Sequence, residues 1–146
     1  CGKFISMKNS NECGYTLIMS TEIIGLSHLE REIIANVVRY NIRDFDYDMM
    51  QLETEAGQDL AGVSDRTAIT ILIAKLTAIL RLANSMDKTH KSKLIDCRMA
   101  VREGQLVITT GYKGDLALES ASFEQKAAFF EEIFGIRPEQ KQKRRV

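Results

Sequence analysis

The stretch over residues 64–90 is apolar at most positions, and a run of that length in a chain of 146 residues is best buried as one long helix. One polar series interrupts it: Thr70, Thr77, Arg81, Asn84 and Lys88. Their spacing lines them up along one helix face. A core helix that keeps such a row directs it at something specific, so function is sought there. The residue types favour binding over turnover. An arginine, a lysine and an amide can hold an anion, whereas the carboxylates and imidazoles of a metal-dependent hydrolase are missing from the row.

Composition sets the limits around this helix. With 45% hydrophobic residues the chain can form one compact domain, or one domain with a small satellite. Lys+Arg and Asp+Glu are equal at 20 each, so no molecule-wide field draws nucleic acid or an anionic membrane, and any anion site must be local. The apolar run over 68–82 is interrupted by Lys75 and Arg81 and is shorter than the roughly 20 residues of a bilayer span. No basic region leading into an apolar stretch and a cleavage site opens the chain, and the expected compartment is the cytoplasm. Cys1, Cys13 and Cys97 are odd in number and widely separated, which predicts free thiols. Beginning at Cys1 without a Met, the chain reads as a piece of a longer protein.

Along the chain, residues 11–21 predict a short helix. Ser27 followed by Glu30 is a capping box, and it opens a second helix that runs to about Tyr40 and packs one face on the long helix. Residues 41–63 are acidic and predict a long loop anchored by Phe45 and Tyr47. Asp44, Asp46 and Asp48 invite a calcium-loop reading. Met49 stands where that loop needs glycine, although Glu55 fits its last ligand position. After His90 the period changes to two: Ile95, Cys97, Met99 and Val101 predict the buried side of a strand, Glu103-Gly104 a turn and 106–112 a second strand. A third strand is expected at 116–118 and an amphipathic helix at 122–134, stopped by Gly135 and Pro138. Lys141, Lys143, Arg144 and Arg145 read as a frayed basic end. The expected organisation is mainly α: a helical domain over 1–92, then a small α+β unit over 93–146 whose sheet is covered by one helix.

Several blocks carry a resemblance. Cys1-Gly2-Lys3-Phe4-Ile5, Tyr15-Thr16-Leu17-Ile18 and Ile24-Gly25-Leu26-Ser27-His28-Leu29-Glu30 come first. Ile34-Ala35-Asn36-Val37-Val38-Arg39-Tyr40, Lys75-Leu76-Thr77-Ala78-Ile79-Leu80-Arg81-Leu82-Ala83 and Phe129-Phe130-Glu131-Glu132-Ile133-Phe134-Gly135 follow. In order and spacing they resemble the C-terminal region of the exopolyphosphatase/guanosine pentaphosphate phosphohydrolase (Ppx/GppA) family. The resemblance implies an HD-domain-like helical bundle followed by a small α+β piece. It also implies that the phosphate-hydrolysing site, with its magnesium, belongs to N-terminal catalytic domains of a parent chain.

Relatives commonly carry histidines where this chain has Asn11, Cys13 and Asn41, and an aspartate where it has Asn84. An amide is a weak, neutral ligand and no base, so the implied metal site is degenerate. His28 and His90 have no His or Cys at ligand spacing. No catalytic residue, metal or cofactor is therefore expected in this chain. The positive expectation is a phosphate groove of Arg39, Arg81, Asn84, Lys88, Lys91 and Lys93, taking polyphosphate or a guanosine polyphosphate. A competing reading pairs Arg81 with a carboxylate such as Asp87 or Glu32. A second role is homodimerisation through the long or the aromatic helix. The enzymatic alternative is a divalent-metal HD-type phosphohydrolase acting on nucleotides.

Overall fold

The computed structural model describes residues 6, 9–47, 50, 52 and 66–143. Cys1, the acidic-loop residues Asp48, Met49 and Glu55, the expected helix start at Ser64, and Arg144 and Arg145 lie outside the described residues. Four helices and three strands are described: α1 (Ser10–Ser20), α2 (His28–Tyr40), α3 (Arg66–Met86), β1 (Cys97–Arg102), β2 (Gln105–Thr110), α4 (Ala117–Phe134) and β3 (Arg137–Gln142). The fold is mainly α with a small α+β unit. By backbone contacts the chain divides into two compact units, Cys1–Thr77 and Ala78–Val146.

In the first unit the capping box forms as predicted. The Glu30 N–H donates to Ser27 Oγ at 3.2 Å, and the Ser27 N–H donates to Glu30 Oε2 at 2.8 Å. Arg31 then donates to the Thr21 carbonyl at 2.9 Å, satisfying an acceptor just past the end of α1. α1 and α2 approach closely at Gly14, where a Cβ would stand 2.8 Å from Val38 Cγ1. Leu29 and Ile33 of α2 share a core with Leu52 and with Ile69 and Ile73 of α3, and Phe45 and Met50 pack against it. Phe45 lies between Tyr40 and Tyr47, with ring centroids 4.9 and 4.8 Å away, so the start of the acidic loop is held down by aromatic contact.

The second unit is built on Ala78, Leu82 and Met86 of α3, packed with Leu94, Ile108, Leu116, Phe123 and Phe130. β1 and β2 are antiparallel, from Cys97 opposite Thr110 to Arg102 opposite Gln105. Glu103 (φ 50°) and Gly104 (φ 75°) form the two-residue turn, both with the positive φ such a hairpin needs. β3 pairs with β2 in parallel, Gln105 beside Arg137 through Thr110 beside Gln142, and α4 makes the crossover.

Three expectations are corrected here. Residues 116–118 are no strand: α4 starts at Ala117, because Leu116, Glu119, Phe123, Ala127 and Phe130 extend the buried helical period five residues upstream. Its first turn is set by the Ala117 N–H donating to Asp115 Oδ1 at 2.8 Å. The third strand is instead Arg137–Gln142, which takes Lys141 out of the frayed end and into the sheet. Finally, Ile95, Met99 and Val101 are 76%, 59% and 63% exposed, because the core reaches Ile108 and Leu106 of β2 and leaves the outer strand open.

Candidate functional site

The polar row on α3 resolves into inner and outer members. Thr77 is fully buried, Arg81 is nearly so, Thr70 is half-buried, and Asn84 and Lys88 are exposed. The Arg81 guanidinium carbon lies 4.5 Å from the centroid of Phe129 in α4, a stacking contact that a buried, delocalised cation favours. Beyond the helix end, Asp87 organises the turn: its carbonyl accepts from the His90 N–H at 3.0 Å, and its Oδ1 accepts from the Ser92 N–H at 2.9 Å. His90 and Ser92 take left-handed backbone angles there, φ 53° and 51°. Lys88 and Lys91 project from this turn into solvent, and neither is ion-paired among the described residues.

Two other members of the predicted groove hold carboxylates. The Lys93 ammonium donates to the Asp115 carbonyl at 2.9 Å and to Oε2 of the buried Glu119 at 3.1 Å. Thr89 donates its hydroxyl to the other Glu119 oxygen. That hydroxyl, opposed by burial and reinforced by Lys93, holds the Glu119 carboxyl down at about 2. In the first unit, Arg39 donates to Glu12 at 2.9 Å and lies 4.8 Å from the Tyr15 ring centroid, while Arg43 reaches the same Glu12 oxygen at 2.9 Å. The Arg39 hydrogen bond is the main reason the Glu12 carboxyl sits below its ordinary value.

Sequence reasoning did not anticipate a cleft between α1 and α2, about 650 Å³ in volume, walled by Leu17, Ile18, Val38 and Ile42. Asn11 and Asn41, two of the positions where the resemblance places metal-binding histidines, both line it. Two neutral amides on an apolar wall do not make an anionic donor set, and among the described residues no group of three or more His, Cys, Asp or Glu side chains is placed to hold a metal ion. In this cleft, as described, Asn11 and Asn41 supply no charged ligand for a divalent cation. His28 is occupied otherwise, its Nδ1 lying 2.9 Å from the Arg31 guanidinium.

Helices followed by a small mixed-sheet unit are the organisation that the resemblance to the C-terminal region of an exopolyphosphatase-like protein implies. Residues 1–127 match the family model described as Ppx/GppA phosphatase, domain III, and the chain belongs to that family. Comparison with curated proteins gave no match.

Proposed function

We propose that this domain is a non-catalytic module that holds polyphosphate, or the phosphate chain of a guanosine polyphosphate, for catalytic domains of its parent chain. Support comes from the end of α3 and the turn after it, where Asn84, Lys88 and Lys91 are all exposed within eight residues of chain. Each is a weak point contact, but a linear polyanion meets several at once and their effects combine. Of the expected groove, Arg39 pairs with Glu12, Lys93 pairs with Glu119, and Arg81 lies against Phe129, which leaves Asn84, Lys88 and Lys91 as the exposed members.

Calorimetric titration of a linear polyphosphate of defined length into the 146-residue chain, at low and moderate salt, tests this reading. Binding that falls with salt and is weakened by Lys88→Ala with Lys91→Ala is the expected result. Absence of heat at both salt levels, or binding indifferent to both substitutions, overturns it. Arg81→Ala is a poor control, because removing a buried stacked guanidinium disturbs packing as well as charge.

A second role, self-association, is favoured by a separate observation: Ile71, Leu72, Leu76 and Ile79 of α3 are between 39% and 49% exposed. Leu72, Leu76, Ile79 and Ala83 follow each other at intervals of four, three and four, the spacing of a seam between paired helices.

A further inference from the structure

We propose that β1 is a docking strand for an extended segment of a partner protein that carries carboxylates on one side and apolar side chains on the other. Among the described residues β1 is the outer strand of its sheet, bonded to β2 along one edge, and its six residues include neither proline nor glycine to interrupt a new ladder. Its two faces differ sharply. Met99 and Val101 lie opposite Ile108 and Leu106, yet they are 59% and 63% exposed where Ile108 is 1% exposed, so an apolar layer that is covered over β2 stops short at β1. On the other face Arg98 and Arg102 are exposed and hold no ion pair among the described residues. Four residues apart on a strand, they stand roughly 13 Å from each other.

A strand added to this edge sets its own side chains directly beside those of β1. Carboxylates beside Arg98 and Arg102 gain opposite-charge pairs, and apolar residues at the alternate positions cover Met99 and Val101. Other occupants fit worse. A second copy of β1 brings four arginines onto adjacent strands of one sheet face, and like charges on neighbouring strands destabilise the pairing. A bare polyanion meets the arginines but leaves Met99 and Val101 in water. The arginines therefore act as a selective guard, keeping copies of this chain apart while admitting an acidic strand.

The test uses two short synthetic peptides with valine at every second position, one with glutamate and the other with lysine between. Each is titrated into the 146-residue chain, and amide hydrogen exchange is followed residue by residue. The glutamate peptide is expected to bind and to slow exchange in residues 97–102, whereas the lysine peptide does not bind. Arg98→Glu with Arg102→Glu is expected to weaken the glutamate peptide by about tenfold or more and to admit the lysine peptide, a reversal that loss of folding cannot mimic. Equal binding of the two peptides, protection outside β1, or no binding overturns the proposal. A mass that rises with concentration and is lowered by Met99→Glu also overturns it, by giving the edge to a second copy.

Discussion

Glu119 has no exposed surface, yet it stays ionised because the Thr89 hydroxyl and the Lys93 ammonium replace the water it has lost. With its folded value at about 2, against 4.5 for an ordinary glutamate, the native state binds fewer protons than the unfolded chain between those values. The stability it contributes is therefore complete above about pH 5 and is lost as pH falls toward 2. Urea midpoints measured across that range should drop steeply, and Glu119→Gln should flatten the drop. A residual slope is expected from Glu12 and Glu30, which are lowered in the same direction. Lys93→Met leaves a buried carboxylate without its cation and should cost about 3–5 kcal/mol in equilibrium unfolding; a cost below 1 kcal/mol would mean that Thr89 alone suffices. Neither partnership was legible in the sequence. Glu119 lies 26 residues from Lys93, in a segment read as a strand followed by loop, and Glu12 lies 27 residues from Arg39. A lysine in a row of lysines looks the same on paper whether it is solvated or locked.

At the scale of elements, what the sequence disclosed was local. The capping box, the αL glycine at the end of α4 (Gly135, φ 68°) and the Glu103-Gly104 turn are each written in a few adjacent residues, and each forms as read. β3 was missed because Arg-Pro-Glu-Gln-Lys-Gln has no β-branched or aromatic residue; it becomes a strand through the free edge of β2, with Pro138 tolerated on an outer strand. The contact between α1 and α2 is also invisible locally, since Gly14 reads as a weakness in a helix until Val38 is found against it. Gly14→Ala should gain helix propensity yet lose stability, by about 1–3 kcal/mol, because the new methyl must displace Val38 or part the helices. Val38→Ala in the same chain should recover much of that loss. Thermal or urea unfolding of the two single variants and the double variant measures the coupling, and simple additivity would show that the close approach is not what constrains this site.

For the molecule as a whole, equal numbers of acidic and basic residues mean that no long-range attraction gathers a polyanion, so binding and self-association must each depend on a small patch. α3 and the turn after it offer a candidate for each. The helix is 21 residues long and its most apolar 18-residue stretch has a mean hydropathy of 1.5, enough to cross a membrane by those measures, but Ile69 and Ile73 pack into one core and Ala78, Leu82 and Met86 into another. The sequence places this helix in the core and also offers it as a dimer surface, because periodicity cannot separate a covered face from an open one when both are apolar. The open face, Leu72 through Ile79, makes the last prediction. If it joins two copies, sedimentation should show a mass near twice 16.5 kDa that falls to the monomer on dilution. Leu76→Glu with Ile79→Glu should give the monomer at all concentrations, with helix content unchanged because both residues are exposed. The monomeric variant then separates the two roles. Polyphosphate binding that survives in it resides in the Lys88 and Lys91 turn of a single chain, whereas binding lost with the dimer requires lysines from both copies. A wild-type chain that remains monomeric at every concentration removes self-association from the account of α3 and leaves its apolar face to another segment of the parent protein.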